Sequence, residues 1–151
     1  MATLQKKIKE IQAKIHGLLG QRAWEVALGV GSFVTMEFGQ PVPLTKTNGS
    51  IHGEWHLWLY GCGWRLEQGE SVIIASEDNR SKIEVAIQRL EGRVLQSFEL
   101  LTPALDAVLT FEDDIVLRLF SLYTEEMDSW ILFTPDKVVT VGPAGQWSYE
   151  V

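Results

Sequence analysis

The stretch Trp55-His56-Leu57-Trp58-Leu59-Tyr60-Gly61-Cys62-Gly63-Trp64-Arg65-Leu66-Glu67 reads as two strands around a tight glycine turn. Leu57 and Leu59, then Trp64 and Leu66, recur at alternate positions, the period of a half-buried strand. The same order of residues returns downstream. Leu57, Leu59 and Tyr60 correspond to Leu117, Leu119 and Phe120, an offset of 60. Trp64, Leu66, Val72 and Ile73 correspond to Trp130, Leu132, Val138 and Val139, an offset of 66. Alternating strands always align with one another, but a tryptophan in register with its neighbours is a more specific coincidence.

Working outward, each set of strands follows a helical segment. Leu4, Ile8, Ile11, Ile15 and Leu18 form one apolar stripe at helical spacing, ending near Gly17 and Gly20. Asn79 or Ser81 caps a second helix carrying Ile83, Ala86, Ile87 and Leu90, which Gly92 closes. Ile11, Ile15, Leu18 and Gly20 thus reappear 72 residues later as Ile83, Ile87, Leu90 and Gly92. Strands are expected at 23–28, 32–38, 55–60, 64–67 and 71–75, then at 94–101, 107–111, 115–120, 130–133 and 137–141. Their connections are short, which favours antiparallel pairing, because parallel crossovers consume a dozen or more residues. The expected fold class is α+β: two helices on antiparallel sheet, in two tandem α-then-β pseudo-repeats around a pseudo-two-fold. The repeats span about 3–78 and 79–151, packed into one compact domain over 1–151.

Composition bounds the function. The 151 residues are 46% hydrophobic and 22% charged, the balance of a globular chain. No apolar run approaches the roughly 18 residues of a membrane span, and the lysine-rich N-terminus lacks the apolar core of a signal peptide. A cytoplasmic protein without membrane contact is expected. The net charge of −7 is uneven: residues 92–151 carry only Arg93, Arg118 and Lys137 against ten acids. That field opposes nucleic acid, so none is expected as a partner. Cys62 is the only cysteine, which excludes an internal disulfide. No phosphate-binding loop or nucleophile elbow occurs, and no cofactor is expected.

Differences between the repeats are better functional candidates than matches, since the shared fold needs the matches. The first repeat carries a long segment over 39–53, rich in proline and glycine, where the second turns through Glu112-Asp113-Asp114. The second repeat has its own longer loop at 121–129. On an extended strand, His52, Glu54, His56, Trp58 and Tyr60 share one face, and Trp55, Leu57 and Leu59 share the other, the core side. Alternate imidazoles and a carboxylate can meet one divalent metal, so His52, Glu54 and His56 are the ligands expected if any ion binds, with Cys62 as a possible fourth. Catalysis by Cys62 is not expected: it needs a base, and His56 lies about 20 Å away along a strand rising ~3.3 Å per residue. Trp58 and Trp147 are the tryptophans expected to make contacts, indole combining large apolar area with a polar handle.

Two function classes follow. The first is a non-catalytic protein–protein interaction module, adaptor- or immunity-like, whose partner is another protein. The second is a small-ligand or metal-binding domain, hydrolases included, built on the face of His52, Glu54 and His56. Without a catalytic constellation, the first is the expectation and enzyme activity is not. The chain is expected to be a monomer or a homodimer.

Overall fold

The computed structural model describes residues 2–43 and 51–151. The described residues form two helices and eleven strands, all paired antiparallel, an α+β architecture. The first helix, α1, runs over Ala2–Ile15 and tightens into a 3-10 turn at His16–Leu18. Its stripe is the expected one: Ile11, Ile15 and Leu18 are buried while the lysines flank them. The second helix, α2, covers only Arg80–Ala86, also followed by a 3-10 turn, Ile87–Leu90. Asn79 caps it, its side-chain oxygen accepting the Ser81 backbone N–H at 3.0 Å.

Five strands follow α1: β1 Ala23–Leu28, β2 Val34–Pro43, β3 Ile51–Leu59, β4 Cys62–Gln68 and β5 Ser71–Ala75. Six follow α2: β6 Leu95–Leu101, β7 Asp106–Phe111, β8 Ile115–Ser121, β9 Trp130–Phe133, β10 Val138–Val141 and β11 Trp147–Glu150. The first sheet has the order β1-β2-β3-β9-β10-β11 and the second β5-β4-β8-β7-β6. Each sheet therefore draws strands from both halves of the chain. The chain changes sheets at the Gly61 turn, so the two strands of the opening stretch do not pair with each other. Instead β3 pairs with β9 and β4 with β8.

The registers of these two seams match. Leu57 faces Leu132 and Leu59 faces Trp130 in the first sheet; Leu117 faces Leu66 and Leu119 faces Trp64 in the second. Both tryptophans send their indole N–H to a carbonyl just before an earlier strand, Trp64 to Ser32 before β2 at 2.9 Å and Trp130 to Leu105 before β7 at 3.0 Å. Bonds joining the halves also come in pairs 72 residues apart. The Gly20 N–H donates to the Leu95 carbonyl at 2.8 Å, and the Gly92 N–H to the Ala23 carbonyl at 2.7 Å. Inward residues of both sheets and both helical stripes form one buried cluster. Each large side chain fully buried there contributes roughly 1.5–3 kcal/mol.

The segment over 39–53 is not one long loop. β2 and β3 extend into it as a hairpin, with Pro41 facing Gly53 and Val42 facing His52. Pro41 and Pro43 lie beyond Phe38, the last residue of β2 paired to β1, so β2 is an edge strand there, a position that tolerates proline. Residues 44–50 lie outside those described. The loop at 121–129 is tied to the Gly61 turn, since the Tyr60 and Gly61 N–H groups donate to the Ser129 and Asp128 carbonyls. Among the described residues, no helix is long and apolar enough to cross a membrane.

Candidate functional site

The β2–β3 hairpin has a bulge. Between the pairs Phe38–Trp55 and Pro41–Gly53, two residues of β2, Gly39 and Gln40, oppose Glu54 alone. Gly39 has φ +80°, which glycine adopts freely, and a β-carbon there would lie 2.8 Å from a Glu54 carboxylate oxygen. Gly53 is equally constrained, because a β-carbon there would collide with the backbone of Phe38. The bulge turns the Glu54 carboxylate aside to accept the Gln40 N–H at 2.7 Å. The space between His52 and His56 is thereby freed, and the ring centroids of the two imidazoles come within 4.8 Å.

The group that occupies this space is Glu37 of β2, directly across from His56. Its Oε1 accepts the Gly53 N–H at 2.8 Å and lies 3.3 Å from His52 Nδ1, and its Oε2 meets His56 Nδ1. Glu37 is only 4% exposed, although it points away from the core. Burial alone would raise its pKa. The His56 contact, the Gly53 N–H and the charges of both imidazoles outweigh burial and hold the carboxyl below the usual glutamate range. A carboxylate only accepts, so each ring meets it with an Nδ1–H.

Above this polar floor opens a cleft of about 600 Å³ between the end of β2, the face of β3 and the β9–β10 turn. Val42, Trp58, Phe133 and Pro135 give it an apolar wall. The turn is braced by Thr134, whose hydroxyl donates to the Lys137 carbonyl at 2.7 Å and accepts the Lys137 N–H at 3.0 Å. On the opposite face of β3, Trp55 packs under Gly17, so the first helix covers the core side and leaves the cleft open.

No protein-family model, curated protein or solved structure matches this chain. The site therefore speaks only through its own geometry.

Of the residues expected from the sequence, His52 and His56 come together and Trp58 lines the same cleft. Glu54 also lines it, but the carboxylate grouped with the imidazoles is that of Glu37. Tyr60 lies further along the face, its ring 4.7 Å from Phe33 and 4.8 Å from Trp58. Trp147 is elsewhere, on β11 at the far edge of the sheet and packed against the core. Cys62 is buried at the start of β4, where burial pushes its thiol up to about 12. Neither a thiolate ligand nor a nucleophile is available there near neutral pH. Glu37 escaped the sequence reading because it precedes His52 by fifteen residues across a segment taken for a loop. A signal existed: an acid between the inward Met36 and Phe38 must stand on the outer face of a strand.

Proposed function

We propose that the protein is a small-ligand-binding domain, its ligand an organic molecule with an apolar or aromatic body and a polar head. The observation that carries this reading is the pairing of a buried, multiply hydrogen-bonded carboxylate and two imidazoles with an apolar-walled cleft above them. A few convergent polar groups under an apolar wall are what small-molecule sites use for orientation and for affinity respectively. The head reaches the imidazoles, and the body lies against Trp58, Phe133 and Pro135. The test is a titration with aromatic acids, phenylacetate and indole-3-acetate, followed by amide chemical shifts. The reading expects saturable shifts at 52–58 and 133–135 that Trp58→Ala weakens. Shifts scattered over the surface, or none at millimolar ligand, would overturn it.

A second reading, a non-catalytic interaction module, has its own observation. Leu101 and Phe120 of the second sheet and Leu122, just past the end of β8, are 43%, 64% and 60% exposed, and Leu101 and Phe120 flank one depression. Neighbouring exposed apolar residues of this kind suit docking of another protein. Sedimentation of the wild type and of Phe120→Ser tests the simplest partner, a second copy. A dimer dispersed by the substitution supports it, and a monomer at every concentration removes self-association.

A further inference from the structure

His52 and His56, which line the cleft, and Glu37, hydrogen-bonded beneath them, offer one donor atom each, all within 4.8 Å of one another. A first-row divalent ion bound at about 2.0–2.2 Å by nitrogen and oxygen needs its ligands only a little over 3 Å apart. These side chains therefore require an adjustment of an ångström or so, within the reach of their own rotations. We infer that this trio binds a divalent transition-metal ion of the zinc class, which receives the polar head of the cleft's ligand. The inference rests on the small-ligand reading of the same cleft and adds how the head is held.

Three features favour an ion. Two imidazoles and one carboxylate form a donor set suited to zinc, cobalt and their neighbours, whereas calcium and magnesium prefer all-oxygen surroundings. The Gly53 N–H fixes Oε1 of the Glu37 carboxylate at 2.8 Å, leaving Oε2 as the ligand atom. Three protein ligands also leave coordination positions open, and the donors lie beneath a cleft rather than under packed side chains. Binding exchanges the N–H···O contacts of the two rings for metal bonds, the Nδ1 protons leaving to solvent or moving to Nε2. Glu54 and Cys62 take no part, the first because Gln40 holds it and the second because it is buried in the other sheet.

The experiment begins with protein dialysed against chelator. Cobalt(II) titration is followed by visible absorption, zinc displaces it, and calorimetry gives the stoichiometry. One ion per chain is expected, with His52→Ala, His56→Ala and Glu37→Gln each weakening binding by more than about tenfold. Glu54→Gln and Cys62→Ser should bind as the wild type does. Zinc-induced amide shifts in the wild type, expected at 37, 53 and 56, keep the test valid should a variant misfold. Binding that is absent, or that survives His56→Ala, would overturn the inference. Phenylacetate is then titrated into metal-free and zinc-loaded protein. Tighter binding to the loaded form supports the inference. Equal binding to both overturns it and leaves the small-ligand reading standing. Zinc binding with no phenylacetate binding in either form retains the ion and removes that reading.

Discussion

On its outer face the first sheet sets His56 against Phe133 and Trp58 against Ile131, while at matching positions the second sets Val116 against Glu67 and Arg118 against Arg65. Both faces hold one carboxylate between two basic side chains. Glu67 is bonded by Arg65 at 2.7 Å and Arg118 at 2.9 Å, both arginines nearly half exposed. Glu37 sits between two imidazoles under a cleft wall. The inward pairs of the two seams are nearly interchangeable, so the shared frame is a property of the core. Outward positions are released from that demand, and burial decides what each charge cluster can do. In water an ion pair is worth little; beneath a cleft the same arrangement is costly to leave unpaired.

The largest effect tests the shared frame. Because each sheet takes strands from both halves, fragments 1–78 and 79–151 should each be unfolded alone and should regain native circular dichroism when mixed. A fragment that melts cooperatively by itself would break the comparison. Next come the paired tryptophans. Trp64→Ala and Trp130→Ala should each cost about 3–5 kcal/mol in denaturant unfolding, since both remove a buried indole and its hydrogen bond. A large inequality would show that the seams are not equivalent. The outer faces should then diverge: Glu37→Ala costs about 1–3 kcal/mol by leaving a buried N–H and two imidazoles without their acceptor. Glu67→Ala costs less than about 1 kcal/mol. The smallest effect is on pH. The N–H of Arg65, then that of Arg118, holds the Glu67 carboxyl below the usual range against slight burial. A depressed folded-state pKa stabilises above the unfolded value and is lost on acidification. The small difference in Tm between wild type and Glu67→Gln should therefore be present at neutral pH and vanish below the ordinary carboxylate range.

Much of the frame was legible because it rests on local chemistry. The helical stripes, the Asn79 cap and the alternation around Leu57 and Leu117 are short-range patterns. The crossing of strands between sheets was not, because alternation tells which face a residue takes and not which strand lies beside it. The site divides in the same way. His52, His56 and Trp58 were visible as one face of one strand. Glu37 required the hairpin register, and the bulge that turns Glu54 aside depends on the backbone conformation of Gly39, which composition alone leaves open.

The central claim is that Glu37 gathers His52 and His56 by their Nδ1 atoms. Long-range proton–nitrogen NMR of the imidazoles, in metal-free protein and in alkaline buffer, reads this directly. The account predicts the Nδ1–H tautomer for both rings in the wild type and its loss in Glu37→Gln. Two Nε2–H rings, unchanged by that substitution, would contradict it.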